Sequence, residues 1–475
     1  MGIPVLGSNT ADDAYDVSNS LMLDRNDDSD LVQTFGSAGN RRTFTWSGWI
    51  KRQGLGVRQT IFHQYNALDN NQWIEFRFED TDQITFSWYS QGVFTTLERF
   101  RDPHAWYHLV IAVDTTQGTD TNRVKFYVNG NQITLNSPTL PAQDYDTGMN
   151  QNSAHAIGHL ENNGNFNADY YIAEVFSIDG TQHLPTAFGE FNTNGVWVPI
   201  DAKDDLTFGT NGYYLEFKQT GTSQNSSGIG ADTSGNDKHF AVTNIDSLHV
   251  FEDTCTNNYM TMTRLSTNSR GTFDQGDLRV QTDVQGSVPY GQVEFGWFAV
   301  NKGKWYFEAK PTTVGSGGQL AIGWNERWED GGYTNGHNNL GSNGNAWYGS
   351  GGNIKIGSAT TQTGPSSYTD NDIIGVAIDL DNDKIHFHKN GSYQRSSDPA
   401  NNTGGDSLSS SYNNYWTPWM SKDDTNNEAT VEFNFGNPIF SISSGNSDDN
   451  GYGNFEYDVP TGYYALNTKN LAEFG

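Results

Sequence analysis

Residues 124–130 read VKFYVNG and residues 385–391 read IHFHKNG, and the architecture of the chain turns on why such a phrase occurs twice. In each, apolar side chains alternate with polar ones before an Asn-Gly pair: Val124, Phe126 and Val128 in the first, Ile385 and Phe387 in the second. Alternation with a period of two marks a strand with one buried face. Asn and Gly tolerate the positive φ that a tight type I′ hairpin needs at both central positions. An apolar run precedes each phrase, LVIAV (109–113) and IIGVAI (373–378), and a polar turn containing Asp separates run from phrase. Strand, turn, strand, Asn-Gly, strand is thus written twice. This predicts equivalent hairpins in two separate antiparallel β-sandwiches.

The bulk composition agrees. A chain of 475 residues is too long for one core, and at roughly 150 residues per domain, more for sandwiches, it divides into two large domains and a connector. Aromatics make up 13%, Gly numbers 52, and no stretch of a dozen residues keeps a 3.6-residue apolar period, so the class is all-β. The reading divides the chain into an N-terminal arm (1–18), a first sandwich (19–192), a packed connector (193–264) and a second sandwich (265–475). Lys and Arg total 27 against 56 Asp and Glu, a net charge of −29. That surface repels phosphate backbones and argues against nucleic acid or an anionic membrane as partner. Cys255 is the single cysteine, which excludes an intrachain disulfide and is read as a buried, inert thiol. The opening residues carry no basic, apolar signal pattern, and no apolar run reaches membrane-spanning length, so no membrane insertion is expected.

Strand-like runs succeed one another in the first domain: FTWSGWIKR (44–52), WIEFRFED (73–80), QITFSWY (83–89), WYHLVIAV (106–113), RVKFYV (123–128) and YYIAEVFSI (170–178). The series SGWIKR, WYHLVIAVD, VKFYVNG, AIGH and IAEVFSIDG resembles the laminin-G-like branch of the concanavalin A-like lectin/glucanase jelly rolls. Residues 20–52 and 173–192 resemble the version carried by structural proteins of tailed bacterial viruses, many of them marine. The superfamily includes glycosidases, whose retaining members place two glutamates and an intervening aspartate on alternate positions of one strand. The nearest counterpart here is Glu75, Arg77 and Glu79. Arginine stands where an acid is needed, and it should hold both carboxylates ionised. A cross-strand charge ladder on a solvent face is the preferred account of these residues.

In the connector, Tyr213, Leu215, Phe217, Phe240, Val242 and Ile245 are enough apolar groups to pack it down. The second domain resembles a SPRY domain, on GKWYFEAKP (303–311), QLAIGWNERW (319–328), NAWYGSGG (345–352), DIIGVAIDLDNDKIHFHKNG (372–391), YWTPWM (415–420) and ATVEFNFGNPIF (429–440). Asp379, Asp381 and Asp383 repeat the spacing of the first calcium ligands of an EF-hand, but Lys384 and Asn390 replace the required Gly and Glu. No cofactor is expected. Calcium stays open only because some laminin-G-like modules bind it through loop carboxylates, and no complete motif indicates it. His386 and His388 share a strand face, read as solvent-facing. Trp324, Trp328, Tyr333, Trp347, Tyr348, Trp416 and Trp419 lie in or beside Gly/Asn-rich segments. The SPRY resemblance implies loops that bind partner peptides, and aromatic faces amid amides also suit sugar rings. These seven are the candidate ligand-binding residues, although each alone also fits a packing role.

The expectation is a non-enzymatic protein on the outside of a virus particle, as tail fibre, appendage or capsid-attached knob. It would be assembled in the host cytoplasm and would adhere to a host surface glycan or envelope protein. A structural protein that docks on other virion proteins is the alternative, with the arm as anchor, and an endoglycanase or depolymerase is the third reading. A homo-oligomer is left open, since no heptad or β-helical repeat marks one.

Overall fold

The structure is a computed structural model, and it describes residues 15–65, 73–88, 92–136, 138–160, 166–265, 271–282, 292–315, 320–326, 345–357, 362–408, 414–422 and 428–475. The chain forms two compact units, Met1–Asn257 and Asn258–Gly475. Each is built on two large, mainly antiparallel sheets, the first unit adding a separate two-stranded pair, and Thr468–Phe474 is the one α-helix among the described residues.

In the first unit, one sheet runs in the order Asn131–Gln132, Val124–Val128, Trp106–Asp114, Thr43–Arg52, Tyr170–Asp179, Ser20–Leu23, Val250–Phe251, with Tyr213–Leu215 also on Tyr170–Asp179. The facing sheet runs Leu135–Asn136, Gly92–Thr96, Ile84–Trp88, Ile74–Phe78, Gln59–Tyr65, Ala154–Ile157, Asp30–Thr34, Ala241–Thr243. Alternation decides what lies between them. Phe44, Trp46, Leu109, Ile111, Val124 and Phe126 from one sheet meet Ile74, Phe76, Ile84 and Phe86 from the other in one buried cluster. Phe76 sits edge-on to both Trp46 and Phe126, with centroids 5.6 Å away in each case, the geometry that aromatic quadrupoles favour. Residues 193–257 of the segment read as a connector are built into this unit. Tyr213, Leu215, Phe217, Phe240 and Ile245 join the core and Val242 packs against it, while three of its strands extend the two sheets.

The second unit repeats the plan. One sheet runs Thr272–Asp274, Arg279–Gln281, Thr430–Asn434, Lys304–Thr313, Ile374–Asp379, Lys384–Lys389, Ser392–Tyr393, and the other runs Gln292–Phe295, Trp416–Lys422, Leu320–Glu326, Asn345–Gly349, Asn353–Ile356, Gln362–Thr363. Phe307, Trp324 and Phe433 fill the space between them.

The two repeated phrases do form equivalent hairpins. Asn129 and Gly130 have φ of 47° and 77°, and Asn390 and Gly391 have 48° and 77°, the signature of the type I′ turn. In each, the turn Asn exchanges two bonds with the neighbouring strand. His108 N donates to Asn129 Oδ1 (2.8 Å) and Asn129 N to His108 O (2.9 Å), as Ile373 N donates to Asn390 Oδ1 (2.7 Å) and Asn390 N to Ile373 O (2.8 Å). Each turn Gly also lies under a ring from later in the chain: a Cβ on Gly130 would fall 2.3 Å from Trp197, and one on Gly391 would fall 2.7 Å from Tyr457.

Candidate functional site

In the first unit's sheet that contains Thr43–Arg52, the side chains that point away from the core are as informative as the core. Thr43–Arg52 sends Ser47, Trp49 and Lys51 outward, and their partners on Trp106–Asp114 are Val110, His108 and Trp106. A bare outward face would be polar. This one is covered in part by residues 185–208, where Phe188, Ala202 and Phe208 pack with Val110, Tyr127, Phe176 and Tyr214 into a second apolar cluster. The antiparallel pair Gly189–Phe191 and Trp197–Pro199 belongs to this cover. At the edge of the cover lies a cavity of about 330 Å³, lined by Trp49, Trp106, Trp197 and Phe191 together with the amides of Asn129 and Asn131.

Its geometry is set by His108. Trp197 Nε1 donates to His108 Nδ1 at 3.0 Å, and since an indole only donates, Nδ1 is the acceptor and Nε2 carries the proton toward Ser47 Oγ, 2.8 Å away. Burial pulls the His108 imidazole down to about 3, so the neutral tautomer holds at ordinary pH. The ring stacks on Trp49 (4.8 Å, 30°), and the hydrogen bond holds the Trp197 indole edge to edge with it (5.9 Å, 22°), which fixes both indoles; Trp49, Trp106 and Trp197 are buried, at 3%, 9% and 5% exposure. Phe191, 51% exposed, meets Trp197 edge-on at 4.9 Å. Trp106 Nε1 donates to Asp253 Oδ1 (3.3 Å), and Asp253 is ion-paired with Lys51, both side chains being 2% exposed. Asn129 Oδ1 accepts from His108 N, and Asn131 Nδ2 donates to Asn129 O at 3.1 Å. The lining thus combines the exposed Phe191 ring and the rims of three buried indoles with Asn129 and Asn131, and it has no carboxylate, thiol or amine, an arrangement that can bind a neutral, hydroxyl-rich molecule but holds no acid–base pair.

The aromatic residues singled out in the second unit are placed differently from expectation. Trp324, Tyr348 and Trp416 are fully buried, as is Trp419, and Trp347 is nearly so. All five sit on strands of the six-stranded sheet, and Trp324 faces Phe307 in the core. Trp347 and Trp419 lie on either side of Gly323 in one cross-strand row, packed with Val293 and Phe295. Their Gly- and Asn-rich flanks resemble loops, but the strands run through them, so these five rings are packing. Trp328 and Tyr333 lie outside the described residues.

Two charge readings are also corrected. Glu75, Arg77 and Glu79 do point away from the core, but Glu75 and Arg77 are buried, and the pairing runs along the strand. Arg77 bonds Glu75 and Glu79 (2.8 Å to the latter), while the cross-strand partners of Glu75 are His63 and Ser87. Burial outweighs Arg77, and the Glu75 carboxyl titrates above its ordinary range. His386 and His388 are buried at 1% exposure. His388 Nε2 lies 2.7 Å from Tyr306 Oη and its ring stands edge-on to Tyr457. Asp379 bonds the backbone N–H of Asp381 (3.1 Å) and Asn382 (3.0 Å) and pairs with Lys304, so it serves the turn. Among the described residues no group of three or more His, Cys, Asp or Glu is arranged for a metal ion.

Sequence reasoning missed the pocket, yet a signal exists. Trp49 and Trp106 occupy the outward phase of strands whose inward phase is already apolar. An aromatic in that phase calls for a further layer or a ligand.

Comparison with known proteins agrees with this layout. The laminin-G-type model of the Concanavalin A-like lectin/glucanases superfamily matches residues 26–176, and the SPRY domain model matches residues 304–401. These are lectin-like and SPRY domains, binding types rather than typical catalytic ones. No curated protein matches the chain. Among solved structures, the chain is similar to the SPRY domain of human HERC1, with 16% identity over 34% of this chain and 91% of that one at a TM-score of 0.27. It is similar to a Bacteroides ovatus protein described as carbohydrate binding, with 14% identity over 48% of this chain and 58% of that one at 0.34. It is also similar to the heptameric SAP-like pentraxin of Limulus polyphemus, with 16% identity over 36% and 80% at 0.26.

Proposed function

We propose that this chain is a non-enzymatic binding protein whose first sandwich holds carbohydrate in the pocket between Trp49, Trp106 and Trp197. The observation that carries this reading is the lining itself, the exposed Phe191 ring and the rims of Trp49, Trp106 and Trp197 beside Asn129 and Asn131, in a unit that matches the concanavalin A-like lectin/glucanases superfamily. Pyranose rings present C–H faces to aromatics and hydroxyls to amides, and His108 holds the indoles rigid before any ligand arrives, which limits the ordering cost of binding. A glycan array and calorimetry on the intact chain test this. Binding should be present in the parent and at least ten-fold weaker in Phe191→Ala, an exposed position where folding is not at stake. Release of reducing sugar ends from a glycan that binds would contradict the non-enzymatic part.

The setting we assign is the surface of a tailed-virus particle, where the protein adheres to a host surface glycan, with the second sandwich held by other virion proteins. Support comes from the resemblance of residues 20–52 and 173–192, and the acidic surface suits a protein that must not adsorb to nucleic acid. Antibody labelling of purified particles should decorate a tail or capsid appendage, and particles that lack the chain altogether would end this part of the reading.

A further inference from the structure

We propose that the pocket selects uncharged sugars, one or two rings at a time, and rejects glycans whose terminal sugar carries a carboxylate, sulfate or phosphate. This deepens the carbohydrate reading and rests on it. The argument begins with charge. An anionic sugar needs a cation or a set of free N–H donors to replace its lost hydration, and the lining offers no Lys, Arg or charged His. Lys51, a cation beside the lining ring of Trp106, lies beneath the surface at 2% exposure, ion-paired to Asp253, with its Nζ 4.6 Å from the Tyr171 ring centroid and 5.8 Å from that of Trp106. Reaching it would mean breaking that pair. His108 stays neutral near ordinary pH and its Nδ1 is held by Trp197. The chain's charge of −29 adds a long-range repulsion.

The polar groups suit neutral hydroxyls instead. Backbone partners orient both amides: Asn129 must present Oδ1 to His108 N, and Asn131 must present Nδ2 to Asn129 O. That leaves the Asn129 NH2 as donor and Asn131 Oδ1 as acceptor, a pair that can serve neighbouring hydroxyls, each of which both gives and takes a hydrogen bond. Size sets the second limit. About 330 Å³ stands at the lower end of ligand pockets, roughly 300–1,000 Å³, so one or two rings fill it. Rings beyond the second extend past this lining.

The experiment uses the full chain against methyl hexosides, and against neutral oligosaccharides of one to six rings and their uronate, sialyl or sulfated counterparts, read by tryptophan fluorescence and calorimetry. The expected result is binding of neutral sugars with a shift in indole emission, affinity that levels off by the third ring, and at least ten-fold weaker binding of the anionic counterparts. Asn131→Lys, at an exposed position, should narrow that ten-fold gap by placing a cation at the rim. Anionic glycans that bind the parent as well as neutral ones, or affinity that keeps climbing to six rings, would overturn this inference while leaving the lectin reading intact. Absence of binding to every sugar would overturn both.

Discussion

At Gly130 a single hydrogen atom decides whether the turn and the pocket coexist. The φ of 77° alone is unfavourable for any side chain with a Cβ, and that Cβ would stand 2.3 Å from the Trp197 ring. Gly130→Ala should therefore cost about 1–3 kcal/mol of stability for the backbone strain and displace Trp197, weakening sugar binding as well. Gly118, with open space around the same position, provides the control: Gly118→Ala should stay within about 0.5 kcal/mol. Urea denaturation of the two variants checks the contrast. This much of the residue scale was legible, since Asn-Gly after an alternating strand has only one cheap geometry. The ring above Gly130 was not legible, because Trp197 is 67 positions away in sequence (197 − 130), in a segment with no period to place it. The aromatic candidates in the second unit show the converse failure. Trp324 and Trp416 are the same residue type as Trp49, and the phase of the strand, hidden by their Gly and Asn neighbours, buries them fully while Trp49 lies on the outer face of its sheet.

Among the elements, the strands Thr43–Arg52 and Tyr170–Asp179 bear the polar features that hold the outer layer of the first unit. Lys51 and Asp253 are buried and paired, with Asp253 supplied by the chain just after Val250–Phe251. Removing one partner strands the other charge away from water, so Lys51→Met or Asp253→Leu alone should cost about 3–5 kcal/mol, and the double variant should recover much of that loss. A thermodynamic cycle from denaturant unfolding measures the difference. The other feature is Glu174, which sits with φ of 51° where the register between the two strands shifts. Its Oε2 accepts from Tyr214 Oη at 2.7 Å, and burial, aided by the charge of Glu216, pushes its carboxyl from 4.5 up to about 7. The folded chain therefore holds a proton there that the unfolded chain has already lost. The stability this group contributes is complete below pH 4.5 and disappears as pH rises through about 7. Glu174→Gln should flatten that loss, which is on the order of 3 kcal/mol because each tenfold difference in proton affinity between folded and unfolded chain is worth about 1.4 kcal/mol. Urea midpoints taken from pH 4 to pH 8 measure it. The strands themselves could be read from alternation. The bulge could not, because nothing in AEVF distinguishes a residue that steps out of register from one that does not.

On the scale of the whole molecule, the first sandwich is completed by sequence well past its matched region, which ends at residue 176. Strands Tyr213–Leu215, Ala241–Thr243 and Val250–Phe251 add to its sheets, and Asp253 neutralises Lys51. A fragment that ends at residue 192 exposes Leu215, Phe217 and Phe240 partners and leaves Lys51 buried alone, so it should aggregate or fail to fold. A fragment that ends at residue 257 should give a cooperative melt followed by circular dichroism. The apolar residues that pin this stretch were visible in the sequence. Their destination was not, because short strands of three residues at a sheet edge carry too little pattern to reveal their partners.

Cys255 turns a detail of that same stretch into a tool. It is the chain's single cysteine, 4% exposed, with burial raising its thiol well above the ordinary value, so it stays protonated and shielded from alkylating reagents. Any cysteine introduced on the surface would then be the one thiol that reacts with a maleimide dye in the native protein. Placed near Phe191, such a fluorophore would report pocket occupancy directly, without the background that a second labelled position brings.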